Sequence, residues 1–217
     1  MSTSRTSSDR SASRAESAAR NEIVDMLKDD HQRAKKSFRR FGKLDARRDA
    51  DECRQLVEQT CAELKVHTAL EEELFYPALR SLLKEADLID EAEVEHATAK
   101  QLIAQLEGMQ PDDEKYSAVF TVLGEYVNHH IKEEETEMFP KVGRAKGDWQ
   151  GLCDEMNARR EELTEQLMPH GAQSDDESMP ATSRRGPQRA GESHARAASE
   201  RRTREAGDER GADDDEE

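Results

Sequence analysis

Eleven residues are written twice in this chain, and that repetition limits what it can fold into more than any other feature. Residues 67–77 read HTALEEELFYP and residues 130–140 read HIKEEETEMFP. Aligned on their histidines, both carry a glutamate four residues on (Glu71, Glu134), a phenylalanine near the end (Phe75, Phe139) and a closing proline (Pro77, Pro140). A His and a Glu four residues apart stand one above the other on a helix face. One turn of helix can therefore offer an imidazole nitrogen and a carboxylate oxygen to a single metal centre. A lone histidine precedes each copy, His31 by 36 residues and His96 by 34. The pattern predicts two helical hairpins of similar design.

The apolar seams agree. A first helix, capped by Asn21 and stopped by Gly42, aligns Ile23, Leu27, Ala34, Phe38 and Phe41, with His31 on the same stripe. A second, from about Asp49, runs Cys53, Val57, Thr60, Leu64, His67, Glu71, Leu74 and Ala78 at helical spacing. On it Glu72 and Glu73 are expected to face solvent, and Pro77 to kink or end the helix about a turn past Glu71. A third, from Asp90, carries Ala92, His96, Ala99, Ile103 and Leu106; a fourth, from about Asp112, carries Tyr116, Val119, Leu123, Val127, His130, Glu134 and Met138. A fifth, from Asp148, aligns Trp149, Leu152, Met156, Leu163 and Leu167 and should pack on the outside. Nothing alternates as a strand would. The expected fold is all-α: an antiparallel up-down-up-down four-helix bundle over 21–145, an additional helix over 146–168, and disordered tails at 1–20 and 169–217. Neither tail has large apolar side chains to bury beyond its few methionines.

Charge narrows the function. Charged residues are 38% of the chain against 34% hydrophobic, and the formal net charge is −16, the opposite of what a nucleic-acid backbone recruits. No apolar run reaches the ~18–20 residues of a membrane span. Cys53 and Cys61 on one helix stand about 12 Å apart at ~1.5 Å per residue, too far for a disulfide. A reduced, cytoplasmic protein is expected, with no nucleic-acid or membrane partner and no identifiable protein partner for the tails.

A single His on an apolar face is more often a hydrogen-bonded core residue than a ligand, and glutamate runs are often solvated. Here four seams each carry a His, and two add a Glu one turn later. Two ionised carboxylates buried without partners would threaten a domain whose net stability is only ~5–15 kcal/mol. Either they are neutral or a cation lies between them. Nitrogen and carboxylate donors without thiolate suit iron or manganese, with zinc less apt. Six donors exceed one tetrahedral ion and do not saturate two octahedral ones. Two ions sharing Glu71 and Glu134, each with two histidines, would keep open positions for an oxo or hydroxo bridge and an outside ligand.

The series DDH, HTALEEELFYP, EH and HIKEEETEMFP resembles the haemerythrin-like, HHE cation-binding domain family over about residues 21–142. The resemblance implies a four-helix bundle around a non-haem di-iron site with His31, His67, Glu71, His96, His130 and Glu134 as ligands. It also implies a small-molecule partner (oxygen, peroxide or nitric oxide) or a role in iron storage or sensing. The oxygen carriers of the family have a second histidine one turn along the third helix, where this chain has Lys100, and an aspartate five residues after the last histidine, where it has Glu134 one residue earlier. Those departures turn the expectation from reversible oxygen carriage towards peroxide, nitric oxide or iron-linked roles. Glu93 and Tyr126, a turn from His96 and His130, are candidate substitute ligands, while His129 should face outward.

Overall fold

The computed structural model describes residues 7–83 and 87–168, and no strand occurs among them. α1 spans Ser7–Phe41. α2, Ala50–Leu70, passes through a π-helical turn, Glu71–Phe75, into α3, Tyr76–Leu82. α4 is Asp87–Glu107. α5, Tyr116–Glu133, passes through a second π-turn, Glu134–Met138, into α6, Phe139–Val142. α7 is Trp149–Leu167. Neighbours around the bundle are α1–α2, α2–α4, α4–α5 and α5–α1, and α7 lies on α1 and α2.

Most of the seams read from the sequence lie in the core, though Phe38, Leu74, Ala78 and Leu152 are only half-buried and Leu167 is exposed. His31, His67, Glu71, His96, His130 and Glu134 are all buried, and they form a polar layer between two apolar clusters. One cluster gathers Phe75, Tyr76, Phe139 and Trp149; the other gathers Phe41, Ile103, Phe120 and Leu123. α1 and α5 approach closely because Gly124 has no side chain: a Cβ there would meet the Phe38 ring at 2.8 Å.

Three local expectations change. Pro77 neither ends nor interrupts the helix. Proline has no N–H and its ring crowds the carbonyl four residues back; here the turn before it widens so that Tyr76 N–H donates to the Glu71 carbonyl, five residues back. The seam past the turn shifts accordingly, from Leu74 and Ala78 to Phe75, Tyr76 and Leu79. Second, residues 7–20, expected to be disordered or to join the first helix only from Ala15 onward, continue α1 from Ser7. Ala and Arg are strong helix formers, Ala19 is buried, and the Glu16 carboxylate accepts Trp149 N–H at 2.6 Å, sharing the cap of α7 with Asp148. Apolar content alone missed a segment held by a polar cap. Third, the fourth helix begins at Tyr116, since residues 110–115 form turns in which Asp113 accepts the Gln110 and Tyr116 amides. Residues 1–6 and the 169–217 tail lie outside the described residues.

Candidate metal centre

Each buried glutamate straddles two helices' histidines. Glu71 Oε2 lies 3.1 Å from His67 Nε2 and 3.4 Å from His96 Nε2. Glu134 Oε2 lies 3.1 Å from His31 Nε2 and 3.5 Å from His130 Nε2. The six residues proposed from the sequence therefore converge, as two overlapping sets. His31, His67, Glu71 and Glu134 bring donor atoms within 4.8 Å of one another, as do Glu71, His96 and His130. Glu71 belongs to both.

Four of these buried atoms, Nε2 of His31 and His67, Oε1 of Glu71 and Oε2 of Glu134, make no hydrogen bond. The 3.1 Å approach of His31 to Glu134 thus lacks hydrogen-bond alignment. Buried polar groups are almost always paired, so four orphans at one point fit a cation. Electrostatics supports the same fit. Glu71 is pushed well above the usual carboxyl range, by burial first and the charge of Glu134 second. Glu134 is held low: burial opposes its charge, but His130 and His31 outweigh it. His31 and His130 are raised, burial being overcome chiefly by Glu134. Protons supply the positive charge this cluster needs, and a metal ion would displace them.

The outer nitrogens form a closed ring. His67 Nδ1 meets Asp30 of α1 at 3.2 Å, and His96 Nδ1 meets Glu72 of the first π-turn at 3.0 Å. His130 Nδ1 meets Glu95 of α4 at 2.9 Å, and His31 Nδ1 meets Glu135 of the second π-turn at 3.0 Å. An ionised carboxylate only accepts, so each Nδ1 donates, which leaves Nε2 aimed inward as a potential ligand. Every one of the four acids is the sequence neighbour of a central residue: Asp30 precedes His31, Glu72 follows Glu71, Glu95 precedes His96, Glu135 follows Glu134. Each helix thereby orients the histidine of the next. Each acid in turn has an outer partner: Arg160 for Asp30, Lys100 for Glu72 at 2.5 Å, Lys35 for Glu135 at 3.1 Å, and the His129 ring near Glu95 at 3.6 Å.

Glu72 was expected to be a solvated bystander and is not. Its hydrogen bond to His96 pulls its carboxyl down to about 2. Glu73 does face out, against Arg159 at 2.7 Å. Sequence reasoning also passed over Tyr76. Its hydroxyl donates to Glu134 Oε1 at 3.1 Å, with His96 Nε2 at 3.4 Å and Glu71 Oε2 at 3.5 Å. Aligning the motif copies on their histidines pairs Tyr76 with Phe139, which stacks on His31 at 5.7 Å; the closing aromatic was the available signal. Glu93 is outside, against Arg80 at 3.0 Å. Lys100, 43% exposed, is occupied by Glu72, and His129 is exposed beside Glu133.

On the face of the histidine layer away from Tyr76 lies a cavity of about 30 Å³. All four histidines line it, with Ala34, Leu64, Ala99, Val127 and Ile131, and Glu63 and Tyr126 at its edge. A water needs roughly 10–15 Å³ on this measure, so the space admits a molecule of a few atoms. Tyr126, 46% exposed, stands at the cavity's rim.

An all-helical bundle closed around a His/Glu layer defines a class of cation-binding domain, and residues 22–142 match the family model described as the Hemerythrin HHE cation binding domain. The chain belongs to that family, whose members bind metal cations, typically iron. A solved structure of a hemerythrin HHE cation binding domain-containing protein from Mycobacterium kansasii is similar, with a TM-score of 0.57 and 24% identity over 67% of this chain and 88% of that one. A DNA nickase from Nostoc sp. is 26% identical over 120 residues, 55% of this chain. The match spans 33% of the nickase. No helix among the described residues is long and apolar enough to cross a membrane.

Proposed function

We propose that this chain holds two iron ions and uses them to bind or turn over a small oxidant: peroxide, oxygen or nitric oxide. One observation carries the reading: four inward Nε2 atoms and two carboxylates meet in a buried layer where four polar atoms have no partner. His31 and His67 would hold one ion, His96 and His130 the other, with Glu71 and Glu134 shared. Iron supplies redox chemistry that the side chains lack. The chain's own residues fix the imidazoles through the outer carboxylates and wall the site with apolar side chains. They also offer a hydroxyl, Tyr76, that can give or hold a proton beside Glu134. A cavity of about 30 Å³ limits the partner to small molecules. Three free, buried cysteines suit a reducing, cytoplasmic setting. Nicking of DNA is a property of the Nostoc protein and is not carried over from a match to a third of its length.

The alternative is an iron sensor or store without turnover, which the same centre would serve. Loading purified protein with ferrous iron, counting bound metal and recording its optical spectrum tests the metal reading. Fewer than one tightly held ion per chain overturns it. Steady consumption of added peroxide then favours turnover; a stable, unreactive loaded form favours the store or sensor.

A further inference from the structure

Three of the four carboxylates that orient the histidines find their outer partner within the four-helix bundle alone: Lys35 from α1, Lys100 from α4, the His129 ring from α5. The fourth reaches beyond it. Asp30 is gripped by Arg160 of α7, a helix that lies beyond the family-matched residues 22–142. Arg160 Nη1 donates to Asp30 Oδ1 at 3.0 Å and Nη2 to Oδ2 at 2.5 Å. That second oxygen is the one that accepts from His67 Nδ1 at 3.2 Å. Arg33 on α1 also reaches Asp30, but only at Oδ1. The two-pronged contact therefore fixes both the position and the plane of the carboxylate on which the His67 ring depends. With Arg160 gone, Asp30 can swing towards Arg33 and solvent, and His67 loses the acceptor that sets its tautomer.

We infer that α7 is a latch on one half of the metal centre, with Arg160 the positioning residue that acts through Asp30 on His67. The His96/His130 half has no such link to α7 among the described residues; its outer carboxylates meet Lys100 and the His129 ring. Unseating α7 therefore loosens one ion and leaves the other. This inference rests on the two-ion reading. It adds that the affinity of the pair is divisible, and that the divider is a helix outside the shared domain. Whatever pulls on α7 can then empty half the centre without unfolding the bundle.

The test uses the full-length chain and cobalt(II), whose visible bands report the ligands around it. In the parent, two equivalents bind. In Arg160→Gln one equivalent is expected to weaken by about 10-fold, the lower end of the range for losing a carboxylate partner of a metal-bound histidine, because Arg160 acts one step further out, through Asp30. The other equivalent keeps its affinity and its bands. Arg160→Lys, which keeps the charge but not the fork, should recover part of the loss. Arg159→Gln breaks the neighbouring contact of α7 to Glu73 and should change neither equivalent. Asp30→Asn leaves the α7 packing residues in place and should reproduce the one-sided loss, so it decides the matter if Arg160→Gln folds poorly. Parent-like binding of both equivalents in Arg160→Gln and Asp30→Asn overturns the latch. So does an equal weakening of both equivalents shared by Arg159→Gln, which would make α7 a general clamp. A parent that takes up no cobalt sinks the metal reading, and the latch with it.

Discussion

The two copies of the eleven-residue motif build the same backbone and unlike half-sites. Both run α-helix, π-turn, α-helix; both place His, then Glu, then an aromatic over the centre. In both, the acid after the central glutamate orients a histidine on the next helix and is held by a lysine: Glu72 with His96 and Lys100, Glu135 with His31 and Lys35. They part at the aromatic. Tyr76 sends a hydroxyl to Glu134, whereas Phe139 offers a ring face to His31. They part again at the remaining pair of histidines, where Asp30 is held by half-buried Arg160 and Glu95 faces exposed His129. Repetition thus supplies the metal-holding geometry, and single residues at matched positions give each half its own proton chemistry and outer support.

The comparison breaks most completely at the shared carboxylates. Glu71→Ala and Glu134→Ala should each strip iron from both halves, because each removes an oxygen lying between two histidine pairs; metal analysis after loading reads this directly. Selective loss from one half would show that the glutamates are private ligands.

Acid should act on the centre in two steps. In the metal-free protein His67 is pushed down to about 4, by burial against the pull of Asp30. Its neutral form is the folded one, so its contribution is complete above pH 6.5 and fades as pH falls towards 4. The shift amounts to something on the order of 3 kcal/mol. The outer carboxylates of both halves follow: Glu72 is held at about 2, and Asp30 and Glu135 are also held low, so their contributions are complete above about pH 4.5 and fade only below it. Thermal midpoints of the metal-free protein should therefore drop in two stages, with His67→Gln flattening the first. A single-stage decline would contradict the difference.

Next in size is Glu72→Gln, which should weaken iron binding by about 10–100-fold, against no change for Glu73→Gln. Matching losses would reduce both residues to a diffuse acidic surface. Tyr76→Phe makes the two copies alike at their closing aromatic. It leaves Glu134 Oε1 without its donor, at about 2 kcal/mol for a buried charged acceptor, seen as a lower melting temperature with iron content kept. An unchanged midpoint would show that water replaces the hydroxyl. The smallest effect belongs to Glu16→Ala. It should cost about 1 kcal/mol through the α7 cap and weaken only the His31/His67 half; equal weakening of both halves in a metal titration would count against it.

What was legible in the sequence was what periodicity can encode. Buried His31, His67, His96 and His130 continue apolar stripes, so helices, core and central six residues could all be read. Residues one step round the helix could not. Glu72, Glu95 and Glu135 look like solvated charge in a linear pattern, and only the neighbouring helix shows that they face its histidine. Tyr76 was hidden for a different reason: five residues past Glu71 it would turn well away from the centre in an α-helix, and a π-turn is not signalled by hydrophobic spacing. Residues 7–20 escaped because their docking uses a small side chain, Ala19, and polar contacts such as those of Glu16 and Arg20 rather than a large apolar area.

Seen as a length rather than a shape, each π-turn is one surplus residue in a helix. Upstream of it the chain keeps one angular phase, which delivers His67 and Glu71; downstream it keeps another, which delivers Tyr76 and Leu79. Closing the turn to an α-helix with every residue kept would rotate everything after it by about 100° at 3.6 residues per turn, taking the hydroxyl from Glu134 and Leu79 from the core. Deleting one residue between Glu71 and Tyr76 would instead cancel the surplus, since Tyr76 would then follow Glu71 by four residues in a plain helix and keep its face. Turn width and residue count are therefore two terms of one sum, and either can change only if the other changes with it.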